Sequence, residues 1–225
     1  MGIFRRTHRQ SIVASGLLLL ATFLLAGCES DGGNGAEMPT DGVSASSSAP
    51  EDPNFPDGVH PSGEACVVIA KVFGRQIVPR SDAGGNAANT VVCLGDSITA
   101  RGYPPYLADE TGMNVVNEGI GSELSASTAR RAPGVLARHR PDYLCVLIGA
   151  NDVVAADATI EGLVANIESI VNAAKASGAI PIVATLTPLS GPRREWAGEA
   201  RAASAAIRSM ARRTGTRLAD LEAAF

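Results

Sequence analysis

The chain has 225 residues, a formal net charge of −4 and a pI near 5.4. This length is enough for one well-buried domain of ordinary size with additional segments. The negative charge gives no reason to expect a nucleic-acid partner, because such proteins carry basic patches interleaved with aromatic residues. Aromatic residues make up only 4% of the chain and glycine is abundant, which favours a tightly packed α/β domain over a β-sandwich.

The first 27 residues have the pattern of an export signal. A basic head at residues 5–9 precedes an apolar run over 12–26, which is too short to be a comfortable membrane span. The run ends in Leu25-Ala26-Gly27-Cys28, which resembles the lipobox of bacterial lipoproteins. By that resemblance Cys28 would be lipidated and would anchor an exported protein to a membrane of the cell envelope. The alternative is an ordinary secretory signal with an incidental cysteine.

Residues 28–52 are predicted to form a flexible tether. They are rich in Gly, Ser, Ala, Pro and Asp and contain almost no large apolar residues, so they cannot bury enough surface to fold. The remaining residues, 53–225, are predicted to form the folded domain.

Three further cysteines, Cys66, Cys93 and Cys145, are an odd number, so at least one of them must stay free. Cys93 and Cys145 lie in apolar runs and are predicted to be small buried side chains. No spacing of cysteine or histidine indicates a metal site, and no cofactor is expected.

Apolar runs typical of buried strands alternate with helical patterns from Cys66 onward. Strands are predicted at 90–94, 113–117, 142–149, 180–186 and 216–221. Helices are predicted at 65–74, 106–112, 125–139 (interrupted at Pro133), 159–177 and 193–214. Connections of this length suit crossovers, so the pattern predicts a parallel sheet with helices on both faces.

The first of these strands stops abruptly at Gly95-Asp96-Ser97. Glycine allows a sharp turn, which would deliver Ser97 to the carboxyl edge of the sheet, where open α/β sheets bind ligands. A helix starting near Ile98 would place its amides beside Ser97 and favour a developing oxyanion. The alternative is a strand-to-helix turn in which the serine is only a cap.

Three motifs, in order, resemble the first three sequence blocks of the SGNH (GDSL) hydrolase family. They are Gly95-Asp96-Ser97-Ile98-Thr99, Asn117-Glu118-Gly119-Ile120-Gly121 and Gly149-Ala150-Asn151-Asp152. The resemblance implies a flavodoxin-like, three-layer α/β/α fold with five parallel strands. It also implies a serine esterase mechanism with Ser97 as the nucleophile.

The last block of that family, Asp-x-x-His, is normally near the C-terminus, but here no histidine follows His139. Asp57-Gly58-Val59-His60-Pro61, upstream of Ser97, closely resembles it. An amphipathic helix ending at Gly74 follows, as it does in the family. We therefore expect a circular permutation, in which residues 53–80 carry the displaced block, 81–89 form a link, and 90–225 form the remainder.

The resemblance implies a role for each matching residue. His60 would be the general base for Ser97, and Asp57 would orient it; the alternative is a solvated turn with no chemical role. The amide of Ser97, the amide of Gly121 and the Asn151 side chain would form the oxyanion hole.

One spacing departs from the family. Its second-block glycine usually lies five residues after the asparagine, a position that Ser122 holds here, so Ser122 is the rival of Gly121. Asp96 and Asp152 are expected to hold loops together rather than to act chemically.

The sequence thus predicts a serine ester hydrolase of the cell envelope. Its substrate would be a carboxylic ester: an acetylated carbohydrate, a lipid or a thioester. Two alternatives stay open, a non-catalytic lipoprotein that binds a glycan or lipid, and an acyltransferase with the same triad. The sequence leaves the oligomeric state open.

Overall fold

A computed structural model describes residues 52–82 and 84–225. The predicted export signal, Cys28 and nearly all of the predicted tether lie outside these described residues. Within the described part of the chain, no helix is both long enough and apolar enough to cross a membrane.

Five parallel strands form one sheet, as predicted. They are β1 (Ala87–Gly95), β2 (Asn114–Gly119), β3 (Pro141–Leu147), β4 (Ile180–Ala184) and β5 (Arg217–Ala219). The spatial order is β2-β1-β3-β4-β5, with every neighbouring pair parallel. This is the flavodoxin-like order, in which the chain reverses direction across the sheet beside β1 and leaves a crevice at the carboxyl ends of the strands.

The helices lie in two layers on either side of this sheet, which confirms the predicted α/β/α architecture. They are α1 (Gly63–Gly74), α2 (Ser97–Arg101), α3 (Pro104–Thr111), α4 (Ser125–His139), α5 (Ile160–Ala176) and α6 (Ala197–Thr214). Apolar side chains of α4, α5 and α6 form the core on one face. Those of α1 and α3 form it on the other.

Two helix predictions were wrong in detail. α4 continues through Pro133 without a break, because burial of Ala132, Val135 and Leu136 against the sheet holds both halves in line. α6 begins at Ala197 rather than at Arg193, because residues Gly191–Trp196 form a separate 3₁₀ turn before it.

β1 is buried throughout its second half and carries the chain to Ser97. It begins at Ala87, inside the predicted link, and an irregularity between Ala87 and Val91 accompanies the left-handed φ of 56° at Asn89. At its far end Gly95 passes so close to β3 that a Cβ would lie 2.1 Å from the Leu147 carbonyl oxygen. Only glycine fits at this point, and the strand can therefore turn directly into α2.

Residues 53–80 are an integral part of the domain. The ring of Phe55 packs edge-on against Phe225, with 5.0 Å between ring centroids. Beyond α1, the Tyr143 hydroxyl donates a hydrogen bond of 2.6 Å to the Val78 carbonyl. Arg80 pairs at 2.9 Å with the buried Asp142.

The close approach at Gly95 generates a stability prediction. We expect Gly95→Ala to lower the free energy of unfolding by at least about 2 kcal/mol, because the new methyl group must push two backbones apart. The matched control is Gly134→Ala in α4, where a Cβ meets nothing within 4 Å. Gly134→Ala should raise the free energy of unfolding by about 0.5–1 kcal/mol, because alanine is favoured over glycine within a helix. Urea denaturation of both variants tests the pair, and equal effects would contradict the packing at Gly95.

Candidate active site

A continuous hydrogen-bond chain joins Asp57, His60 and Ser97. His60 Nδ1 lies 2.6 Å from Asp57 Oδ2, and His60 Nε2 lies 2.8 Å from Ser97 Oγ. Both distances are within the range of good hydrogen bonds. The structure thus brings together the three residues that the sequence suggested as a triad, although 37 positions separate His60 from Ser97.

The tautomer of His60 follows from the charge on Asp57. Partial burial raises the pKa of Asp57, but hydrogen bonds from the His60 ring and from the amides of His60 and Val59 outweigh burial and lower it to about 2. An ionised carboxylate can only accept, so His60 Nδ1 must carry the proton. Nε2 then presents its lone pair to the Ser97 hydroxyl, as a general base requires.

The Asp-Gly-Val-His turn is fixed by local geometry. Asp57 Oδ1 accepts from the amides of Val59 and His60 at 3.0 and 2.7 Å. Gly58 has a left-handed φ of 83°, and a Cβ there would lie 2.3 Å from the Ser190 carbonyl oxygen. The Ser190 amide donates back to the Gly58 carbonyl at 3.1 Å, which ties the turn to the segment after β4.

Ser97 is the first residue of α2, directly after the cap Asp96. Asp96 is buried and accepts from the Ile98 amide at 3.0 Å. Its other carboxylate oxygen is buried without a partner among the described residues. Burial raises the pKa of Asp96 to about 6, although the bond from Ile98 opposes the shift.

Asn151 lies at the same edge of the sheet, with its side chain oriented by the second-block loop. Its Nδ2 donates to the Glu123 carbonyl at 3.0 Å. A side-chain amide has two N–H groups, so the second remains available for an oxyanion.

The geometry bears on the choice between Gly121 and Ser122. Ser122 lines the cavity that contains Ser97, and Gly121 is not among the lining residues. Ser122 also has a left-handed φ of 60°, a conformation that favours glycine. Its amide makes no hydrogen bond within the described part of the chain. The structure therefore favours Ser122 over Gly121 as the donor, in agreement with the family's five-residue spacing.

Arg131 of α4 braces this loop, a feature that sequence reasoning missed. Its guanidinium donates to the Glu123 carboxylate at 2.7–3.0 Å and to the Glu118 carbonyl at 2.7 Å. A longer bond of 3.4 Å reaches the Gly95 carbonyl at the end of β1. One side chain thus connects the nucleophile strand with the loop that carries Ser122. No local pattern signals it, because Arg131 is one of several arginines in a polar helix.

Asp152 holds a loop, as expected. Its carboxylate accepts from both the amide and the hydroxyl of Ser125, the latter at 2.5 Å. The Ser125 hydroxyl in turn accepts from Asn166 at 2.9 Å, so the start of α4 is tied to α5.

A cavity of about 150 Å³ opens beside the Ser97 hydroxyl. Its lining residues are Asp57, Val59, His60, Ser97, Ser122, Ala150, Asn151, Val154, Leu189 and Arg193. A larger cavity of about 350 Å³ lies beside α5 and contains none of the triad residues. The candidate active site is therefore the smaller cavity, because that cavity contains the side chains of Asp57, His60 and Ser97.

Cys66, Cys93 and Cys145 are all free and buried, which confirms the prediction of small buried side chains for Cys93 and Cys145. Burial raises the pKa of the Cys66 and Cys145 thiols, so neither is poised as a nucleophile. Among the described residues, no group of three or more His, Cys, Asp or Glu side chains is arranged to hold a metal ion.

Comparison with known proteins identifies the family of the chain. Residues 93–225 match the model of the GDSL-like lipase/acylhydrolase family. The chain belongs to that family. The match covers most of the folded domain and includes Ser97, Ser122 and Asn151, whereas Asp57 and His60 precede it. Asp57 and His60 are therefore assigned to the site only by their hydrogen bonds in the structure.

One known protein shares part of the sequence. The chain is 33% identical over 75 residues to thioesterase 1/protease 1/lysophospholipase L1 of Escherichia coli K12, covering 29% of this chain. The chain spans only 36% of the length of that relative.

Solved structures of this family share the fold. A GDSL-like lipase from Bacteroides thetaiotaomicron superposes with a TM-score of 0.52 at 19% identity, over 68% of this chain and 78% of that one. A lipase/acylhydrolase from Enterococcus faecalis superposes with a TM-score of 0.53 at 20% identity, over 60% and 77%.

The burial of Asp96 generates a prediction about pH. Its pKa is raised to about 6 in the folded state from an ordinary value of 3.8, so the folded chain holds one more proton between these values. Through this residue, the free energy of unfolding should fall by up to roughly 3 kcal/mol as pH rises from about 4 to 6. Asp96→Asn keeps the acceptor for Ile98 and cannot ionise. Its stability relative to wild type should therefore increase across this range and stay constant above it.

Urea denaturation at several pH values measures this difference. Asp109→Asn, at an exposed position of α3, is the matched control and should follow wild type throughout. Parallel stability curves for wild type and Asp96→Asn would contradict the buried, ionisable carboxyl.

Proposed function

We propose that this protein is a serine carboxylic ester hydrolase that works through an acyl-enzyme. The observation that supports this most strongly is the hydrogen-bond chain from Asp57 through His60 to Ser97, with distances of 2.6 and 2.8 Å. A serine hydroxyl is a weak nucleophile until a base withdraws its proton, and this chain supplies the base and the group that orients it.

The mechanism follows from the positions of these atoms. Ser97 Oγ attacks the ester carbonyl carbon while His60 Nε2 takes the hydroxyl proton, and Asp57 stabilises the resulting imidazolium. The oxyanion accepts hydrogen bonds from the Ser97 amide, the Ser122 amide and the second N–H of Asn151 Nδ2. Collapse expels the alcohol, which takes the proton from His60. A water molecule then repeats the sequence and releases the acid.

The cavity offers apolar surface to the acyl group of an ester. This surface is supplied by Val59, Ala150, Val154 and Leu189. An acetylated carbohydrate, a lipid ester or a thioester is the proposed substrate class, and the E. coli relative is named as a thioesterase and a lysophospholipase.

We further propose that the fold is a circular permutation of the family's usual order. In that order the Asp-x-x-His block and a helix follow β5. Here Phe55, two residues before Asp57, packs on Phe225, six residues after β5 ends. α1 fills the core beside α3 on the same face of the sheet. These contacts support a permutation in which the segment 53–80, although it precedes β1, takes the position of the family's last block.

We also propose that the enzyme acts in the cell envelope. This rests on the export signal and on the resemblance of Leu25-Ala26-Gly27-Cys28 to a lipobox, both of which lie outside the described residues. A lipid on Cys28 and a tether over 28–52 would hold the catalytic domain near a membrane surface. Detection of a diacylglyceryl-modified Cys28 by mass spectrometry of the full chain would test this part separately.

The mechanism predicts a steep ranking of variants. With p-nitrophenyl acetate, Ser97→Ala and His60→Ala should each lower kcat by at least about 10⁴-fold, because the triad acts as a unit. Asn151→Ala should lower it by about 10²–10³-fold through loss of one oxyanion donor. Steady-state kinetics of the soluble domain measures all three.

His139→Ala is the matched control for His60→Ala, because His139 bonds to Glu118 at 2.7 Å, away from Ser97. It should keep kcat within about threefold. Wild-type turnover by His60→Ala would contradict the proposed base. Folded wild type with no turnover of any ester would instead favour a non-catalytic binding role, and ester exchange with added sugar alcohols would reveal an acyltransferase.

A further inference from the structure

We propose that Arg193 forms an anion-binding subsite in the catalytic cavity, and that the ester substrate carries a carboxylate or phosphate group close to the ester bond. The proposal rests on the proposed esterase function, because the cavity is the one that holds Ser97. Arg193 would be a specificity residue and would take no part in bond making or breaking.

Arg193 contributes to the cavity wall together with Ser97 and His60. Its guanidinium lies over the indole ring of Trp196, with 5.6 Å from Cζ to the ring centroid. A cation over an aromatic face is attracted by the negative charge of that face, so the ring favours one placement of an otherwise mobile side chain. The contact uses none of the N–H donors of the guanidinium.

Those donors have no partner among the described residues. Within that part of the chain, no carboxylate lies within 4.0 Å of the Arg193 guanidinium, and its side chain makes no hydrogen bond. Arg131 and Arg208, by contrast, pair with Glu123 and Asp220. Arg193 is therefore a cation that is oriented but not neutralised.

The other groups in the cavity do not pair with the Arg193 guanidinium. Asp57 is the only carboxylate on the wall, and its two oxygens already accept from the His60 ring and from two backbone amides. The remaining polar groups are the uncharged side chains of Ser97, Ser122 and Asn151. An arriving anion would meet one unpaired planar donor group, which can hold a carboxylate or a phosphate through two parallel hydrogen bonds.

The shared cavity limits where that anion can be on the substrate. Arg193 and Ser97 line the same cavity, so an anion bound at Arg193 belongs to the ester that Ser97 attacks. The anion can lie either in the acyl chain or in the alcohol part of that ester.

Two matched ester pairs test the preference and distinguish these two positions. Monomethyl succinate is compared with methyl butyrate, which places the charge in the acyl part. 4-Acetoxybenzoate is compared with the uncharged 4-acetoxybenzamide, and this pair places the charge in the alcohol part. Rates are followed by pH-stat for wild type and for the Arg193→Gln, Arg193→Lys and Arg194→Gln variants. Arg194 is the matched control, because it is the adjacent exposed arginine and does not line the cavity.

For at least one pair, wild type should favour the anionic ester. Arg193→Gln should lower kcat/KM for that anionic ester about 10-fold, the effect of one charge-assisted hydrogen bond, and should change its neutral partner less than twofold. For Arg193→Lys, kcat/KM for the anionic ester should lie between the values of wild type and Arg193→Gln. Lysine keeps the positive charge but loses the planar guanidinium that binds through two parallel hydrogen bonds. Arg194→Gln should follow wild type. An equal loss on both members of each pair, or none on either, would overturn the subsite.

A binding measurement that needs no turnover separates this proposal from the esterase proposal. The chain has one tryptophan, Trp196, which lies directly beneath the Arg193 guanidinium. In the Ser97→Ala protein, succinamate should change Trp196 fluorescence in a saturable way, and uncharged succinamide should not. Arg193→Gln should abolish the response.

Each combination of results has one meaning. A saturable response without ester turnover would retain the anion subsite and overturn the esterase function. Turnover of neutral esters with no succinamate response and no anionic preference would retain the esterase function and overturn the subsite.

Discussion

The His60 imidazole is useful to Ser97 only if it is held within hydrogen-bond distance, and most of the contacts around the N-terminal part of the domain serve that constraint. His60 is carried by a short loop rather than by the sheet. The loop is tied to the rest of the domain through the Gly58–Ser190 backbone bond and the Phe55–Phe225 contact. Ser62 then begins α1 by accepting from the Ala65 amide.

The free energies of these contacts indicate which of them positions His60. A single intramolecular hydrogen bond contributes about 1 kcal/mol net, whereas full burial of one large apolar side chain contributes about 1.5–3 kcal/mol. Phe55, Ile69 and Phe73 are each no more than 1% exposed. Packing of the 53–80 segment therefore places His60 against Ser97, and the hydrogen bonds of Asp57 set its orientation and tautomer.

Features that depend only on residues close together in the sequence could be predicted. The apolar runs predicted β1, β3 and β4, because a strand buried on both faces must be almost continuously apolar. Gly95-Asp96-Ser97 and Asp57-Gly58-Val59-His60 could be recognised because each needs a fixed local turn around one functional side chain. The unusual order of the two blocks did not prevent the prediction of a triad, since a triad is defined by geometry rather than by chain order.

The features that were missed depend on residues distant in the sequence. Arg131 is set apart from other arginines of α4 only by its contacts with Glu123 and the carbonyls of two other elements. Arg193 and Trp196 lie in a 3₁₀ turn, whereas the sequence pattern predicted an α-helix there, so their contact was not predicted. The left-handed backbone of Ser122 is likewise a property of the folded loop, and a serine in the sequence does not signal it.

The proposed function depends on activation of Ser97 by His60, which precedes it in the chain. A fluorophosphonate probe tests this activation most directly, because phosphonylation requires the activated hydroxyl but no particular substrate. We expect wild type to be labelled on the peptide containing Ser97. We expect His60→Ala to be labelled far more slowly while its circular dichroism spectrum is unchanged. Labelling of folded His60→Ala at the wild-type rate would contradict it.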